Sequence, residues 1–209
     1  VLNLLRLDHK YCRNQFYYLY KLCIFVTPKK GTIFEQKNYK IKRNYIMSKL
    51  LLLGDEAIGQ AALDAGISGV YAYPGTPSTE VMEYVQHSKQ AIEGNVHRSW
   101  SANKKTAMES AIGMSYAGKR AIVCMKHVGL NVAADPFMNS AITGANGGLV
   151  YLIADDPSMH SSQNEQDTRV YGKFAFLPVI EPSNQQETYD AIRYAFDLSE
   201  LQKLPVLFR

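Results

Sequence analysis

The strongest constraint on this chain is an alternation: short, continuously apolar runs separated by longer segments of helical spacing. The runs are Val70-Tyr71-Ala72-Tyr73, a stretch near 96–100, one near 120–125, Leu149 to Ala154, and Pro205 to Phe208. A strand that is apolar throughout must be covered on both faces, and intervening helices of about 10 to 15 residues supply that cover. The expected fold is therefore α/β, a parallel sheet with helices on both faces.

The helices are bounded by local signals. Asp55 reads as the cap of a helix ended by Gly66, and Ser78-Thr79-Glu80 opens one that runs to about His87. Further helices are expected over 103–117, within 130–143, and from Asn184 to Leu201. Leu50 to Leu53 reads as a leading strand, Pro178 to Ile180 as a minor one, and Asp155 to Asp167 as a polar loop before a short helix or coil to Phe176.

One position conflicts with its surroundings. On the helix that starts near Asn103, residue 104 falls in line with Ala107, Met108, Ala111, Ile112 and Ser115, the inward stripe. That residue is Lys104. Ser101 or Asn103 can cap the helix; if Ser101 does, a lysine stands where a capping box takes Glu or Gln, and the dipole at that helix end prefers an acid. Such local conflicts gather at functional sites.

Charge divides the chain. Residues 1–46 hold ten Lys and Arg against two acids, and residues 47–209 hold thirteen against seventeen, so the body is mildly acidic and gives no sign of a nucleic-acid surface. Residues 1–46 contain no Ala or Ser and are rich in Lys, Asn, Tyr, Ile and Phe, residues of A/T-rich codons. They are expected to be a non-native extension read in frame, with Met47 the start of the domain at 47–209. The rivals are a basic arm or a targeting segment, but the apolar run Phe16 to Val26 is too short to span a bilayer and no small-residue cleavage site follows it. Three cysteines make no disulfide framework, which fits a reducing cytoplasm and no membrane attachment. The chain stops at Arg209, directly after a core strand, as if cut at a domain boundary.

Ligands of parallel sheets bind beyond the carboxyl ends of the strands. Four loops lie there by this reading: Tyr73 to Ser78, Trp100 to Lys104, Lys126 to Asn131, and Asp155 to Gln163. In the first, two prolines fix the backbone around Gly75 and Thr76, so that Thr76 can turn its hydroxyl toward a carboxylate or phosphate; equally, it is a rigid turn with Ser78 capping the next helix. Asp155, Asp156, His160, Glu165 and Asp167 are metal-ligand types, but the surrounding serines suit a solvated loop, and no metal is assigned. His127 is a switch, a ligand, or a satisfied loop histidine.

Together these loops are similar to those of the thiamine diphosphate-dependent 2-oxoacid:ferredoxin oxidoreductases. The similarity is carried by Leu53-Gly54-Asp55-Glu56-Ala57-Ile58, Tyr73-Pro74-Gly75-Thr76-Pro77-Ser78-Thr79-Glu80, Lys126-His127-Val128-Gly129-Leu130-Asn131 through Pro136, Gly147-Gly148-Leu149-Val150, Ala154-Asp155-Asp156-Pro157, His160 through Asp167, and Glu181-Pro182-Ser183. It runs from Leu50 to Arg209, and Gly75 between the prolines favours the indolepyruvate branch. The resemblance implies a pyrimidine-binding domain for thiamine diphosphate, with Thr76 and Pro74 near the substrate and Gly75, Asn103, His127 and Asn131 near the cofactor. It also implies a parent enzyme that oxidatively decarboxylates an aryl 2-oxoacid to an acyl-coenzyme A with ferredoxin as acceptor. That enzyme would be a homodimer paired with a β subunit, with magnesium and iron–sulfur clusters held in parts beyond Arg209, so this fragment alone is expected to be inactive. In the family, the stretch at Trp100 to Lys105 looks like Trp-Ser-x-Asn-Glu-Lys, and the glutamate hydrogen-bonds the aminopyrimidine nitrogen. Lys104 takes that catalytic position here, with a reference pKa of about 10.4 against about 4.3 for a glutamate. Catalysis is therefore expected to be lost; the alternative reading is a non-catalytic cofactor-binding or assembly module.

Overall fold

The computed structural model describes residues 50–209; the expectations for 1–46 and for a start at Met47 lie outside the described residues. Six strands, β1 (Gly69–Ala72), β2 (His97–Trp100), β3 (Ala121–Lys126), β4 (Leu149–Ala154), β5 (Val179–Ile180) and β6 (Val206–Phe208), form one sheet in the order β2-β1-β3-β4-β6-β5. All five pairings are parallel, with β1 in register with both β2 and β3. The helices are α1 (Gly54–Asp64), α2 (Thr79–His87), α3 (Lys89–Glu93), α4 (Lys104–Tyr116), α5 (His127–Val132), α6 (Ala134–Thr143), α7 (Arg169–Ala175) and α8 (Gln185–Gln202). No helix among the described residues is long and apolar enough to cross a membrane.

Strand alternation divides the core in two. Ile122, Cys124, Val150 and Leu152 pack with Ala61 and Ala62 of α1, Val81, Met82 and Val85 of α2, and Ile192 and Phe196 of α8. On the other face Val123, Met125, Tyr151 and Ile153 meet Ala107, Met108 and Ala111 of α4, with Leu130 and Phe137. The inward stripe of α4 is thus the one its spacing predicts, and the strands are buried on both faces because each face has its own helical layer. Burial pushes the Cys124 thiol up, well above its ordinary range, so it behaves as a small core hydrophobe.

Several local expectations are corrected. Leu50 to Leu53 is not a strand, and Leu50, Leu51 and Leu53 are exposed. Leu53 rather than Asp55 occupies the cap of α1, and its N–H donates to Glu56 Oε2 at 2.7 Å. Of the two caps open to α4, Ser101 and Asn103, the structure takes Asn103, whose Oδ1 accepts from Thr106 N at 2.9 Å, so Lys104 is the first helical residue. The segment 130–143 is broken at Ala133 into α5 and α6. Pro136 explains the break: it has no N–H to give the Val132 carbonyl, and its ring would crowd that carbonyl in a continuous helix.

The sheet is tied to α8 by a buried hydroxyl. Ser199 Oγ accepts from Leu149 N at 2.9 Å and donates to Leu204 O at 2.7 Å, bridging the start of β4 to the chain that enters β6. Ser199→Ala leaves both groups unpaired in the interior and should destabilise the fold by about 1 to 3 kcal/mol. Urea denaturation is expected to show a lower midpoint at unchanged slope.

Candidate functional site

The strand order places a topological switch point beside β1. The chain goes from β1 outward to β2, then crosses back to β3 on the other side, so the loops after β1 and β3 diverge and leave a crevice at the carboxyl edge. This is where open parallel sheets bind ligands.

One wall is the turn after β1. Gly75 N donates to Thr79 Oγ1 at 2.9 Å, Ser78 Oγ donates to Gly75 O at 2.9 Å, and the Thr76–Pro77 peptide is cis. Ser78 therefore braces the turn and makes no side-chain cap to α2. The bracing from below leaves Pro74 and Thr76 exposed at the crest, where the Thr76 hydroxyl has no hydrogen-bond partner among the described residues.

The other wall begins at the end of β3. Lys126 Nζ donates to Ser161 O at 2.7 Å, and Ser161 Oγ reaches Thr76 O at 3.5 Å, so the loop after β4 lies across to the turn after β1. His127 is fully buried with its Nε2 at 2.9 Å from Asn164 O. A carbonyl can only accept, which puts the ring hydrogen on Nε2 and leaves Nδ1 a buried acceptor without a partner. Asn131 lies one turn further along α5 and is engaged: it exchanges two 2.9 Å hydrogen bonds with Gln166 and accepts from Tyr171 OH at 2.5 Å.

Lys104 reaches the same crevice from the opposite face. Its Nζ stands 3.8 Å from the centroid of the Tyr73 ring, and its stem runs against Gly129, where a Cβ would come within 3.0 Å of Lys104 Cγ. Among the described residues no carboxylate comes within ion-pair distance of it; the nearby acids Asp135 and Glu109 are paired with Lys105 at 2.9 and 3.9 Å.

Of the residues singled out in the sequence, Pro74, Gly75, Thr76, Lys104 and His127 converge here. Asn131 is held by Gln166 and Tyr171, and Asn103 uses its Oδ1 on the α4 cap. Tyr73, Lys126 and Ser161 belong to the site and were not singled out; a lysine closing the apolar run of β3 was the available signal.

The loop itself is built on two aspartates. Asp156 accepts from His160 N, Ser161 N and Oγ, and Ser162 Oγ, and these donors hold its carboxyl down at about 2. Asp155 accepts from Thr168 N and Oγ1 and from Arg209 Nε at 2.7 Å. Both carboxylates are consumed by the loop, and among the described residues no three His, Cys, Asp or Glu side chains are grouped to hold a metal.

These features define a class: an α/β domain with a switch-point crevice for a small ligand. Residues 60–208 match the family described as pyruvate flavodoxin/ferredoxin oxidoreductase, thiamine diP-binding. The chain belongs to this family. It is 53% identical over 163 residues to indolepyruvate oxidoreductase subunit IorA of Archaeoglobus fulgidus, covering 77% of this chain and 26% of that one. With the same subunit of Pyrococcus horikoshii it is 50% identical over 161 residues (77% and 24%), and with the ketoisovalerate oxidoreductase subunit VorA of that organism 26% over 168 (76% and 40%). The chain thus spans about a quarter of the length of the IorA relatives. A 2-oxoglutarate:ferredoxin oxidoreductase from Magnetococcus marinus shares the fold, with a TM-score of 0.63 and 20% identity over 75% of this chain and 28% of that one.

The crevice suits thiamine diphosphate in frame but not in donor set. Position 104 offers an ammonium group that lies on the Tyr73 ring with its stem against Gly129, and among the described residues no carboxylate pairs with it.

A second pair of acids lies at this end of the sheet, in the first turns of α1 and α2. Burial, then the charges of Glu80 and Glu56, push Asp55 up to about 6, and Glu80 Oε2 is buried without a partner. A carboxyl group raised in the folded state is best accommodated protonated. The contribution of Asp55 to stability should therefore be greatest below the ordinary value near 3.8 and be lost as pH rises through about 6. Asp55→Asn should abolish most of that fall, about 1 to 2 kcal/mol after screening of a partly exposed group, in urea titrations between pH 4 and 7.

Proposed function

We propose that residues 47–209 form the pyrimidine-side cofactor domain of an indolepyruvate:ferredoxin oxidoreductase. The observation that carries this reading is the 53% identity to the Archaeoglobus IorA subunit, about twice the identity to the ketoisovalerate subunit. The parent enzyme would convert an aryl 2-oxoacid and coenzyme A to an acyl-coenzyme A, passing two electrons to ferredoxin. Magnesium, the diphosphate site and the iron–sulfur clusters would lie in regions these residues do not include. Homodimerisation, a β subunit and a cytoplasmic location complete the proposal.

Thiamine diphosphate, when bound, supplies the carbon that attacks the oxoacid. The chain's own contribution would be positional: Pro74, Gly75 and Thr76 present a rigid edge to the substrate, and His127 offers a buried acceptor at Nδ1. Lys104 is the exception. Its ammonium, held on Tyr73, favours a second reading in which the domain is a non-catalytic cofactor-binding or assembly module.

A chimera separates the two. Residues 50–209 would replace the matching domain of the Archaeoglobus IorA subunit, assayed with its partner subunit for ferredoxin reduction by indolepyruvate and coenzyme A. The Lys104 form is expected near background and Lys104→Glu at least ~100-fold above it, the usual scale of a lost acid–base group. Equal turnover of the two forms would remove position 104 from the chemistry, and no turnover in either would favour the non-catalytic module.

A further inference from the structure

We propose that Lys104 and Lys126 together form an anion-binding site in the β1/β3 crevice, one that takes the carboxylate of an aryl 2-oxoacid. The ligand class rests on the reading above, whereas the site rests on geometry alone.

The two lysines approach one turn from opposite faces of the sheet. Lys126 follows Ile122 and Cys124 in the strand alternation, and its stem lies along Gly75, where a Cβ would stand 3.6 Å from Lys126 Cδ. Lys104 comes from α4, on the other face, and ends over Tyr73, two residues away from Gly75. Neither is a freely swinging surface lysine, since each stem is guided past a glycine, Gly75 or Gly129.

Neither has an acidic partner. The ion pairs among the described residues involve Lys105, Arg120, Arg169 and Arg209, and never these two lysines. Asp156, on the loop that Lys126 holds, is occupied by its own serines. Lys126 Nζ uses one hydrogen on Ser161 O and keeps two donors; Lys104 Nζ rests on a ring face, which supplies no acceptor lone pair. Two unneutralised ammonium groups around one turn raise the local potential, and the positive end of α4 adds to it. The exposed Thr76, on the same turn, carries a hydroxyl without a hydrogen-bond partner among the described residues. A carboxylate is the acceptor that these donors lack.

The test is calorimetric titration of the 209-residue chain with phenylpyruvate at low salt. Binding is expected to weaken at least tenfold in Lys104→Met and in Lys126→Met, and to fall below detection in the double variant. Lys126→Gln, which keeps a donor for Ser161 O but loses the charge, should weaken it equally, guarding against a merely loosened loop. Lys105→Met, whose partners Asp135 and Glu109 lie outside the site, should bind as the unsubstituted chain does. Phenylpyruvate binding unaffected by the two methionine substitutions overturns the proposal, as does no binding to the unsubstituted chain. Lys104→Glu distinguishes this from the preceding reading: it should lower phenylpyruvate affinity here while raising turnover in the chimera, so either expectation can fail alone.

Discussion

The structure depends on β1 being paired on both sides. Its register with β2 and β3 makes it the strand from which the connections diverge, and that divergence opens the crevice. Because every strand is parallel, each connection must cross a face of the sheet, and the helices that make those crossings bury both faces. Core and site are products of one topological arrangement.

Within the crevice the balance of charge is the informative quantity. A domain of this family is expected to offer an acid at position 104, and the packing here instead delivers an ammonium group onto Tyr73. The substitution is accommodated without strain on the fold: Gly129 leaves room for the stem and the ring face receives the cation, a favourable contact for an otherwise unpaired lysine. The loop after β4 has a complementary part, holding Asp156 with its own serines and Asp155 with Thr168 and Arg209, and among the described residues no carboxylate on it pairs with either lysine.

The fold was legible because its signals are local and periodic. The apolar runs that became β1, β3, β4 and β6 and the stripe of α4 follow from side-chain spacing alone. Errors fell where a tertiary partner decides. Leu50 to Leu53 is apolar enough for a strand, but no neighbouring strand pairs with it. Asp55 has a capping side chain, yet Glu56 accepting from Leu53 N sets the start of α1 two residues earlier. Asn103 was one of two caps the sequence offered for α4 and fills that role, whereas the contact of Asn131 with Gln166 depends on a loop that spacing does not place.

By itself, the sequence determined the parallel α/β sheet, the rigid turn around Thr76 and the misfit of Lys104, because burial patterns, proline geometry and helix-end electrostatics act within a few residues. Only the tertiary structure decided that Lys104 meets Tyr73, that Lys126 reaches the same turn from the other face, and that His127 holds its hydrogen on Nε2. Those outcomes depend on which loops the strand order brings together across the sheet, and contacts between residues so distant in the chain are fixed by packing.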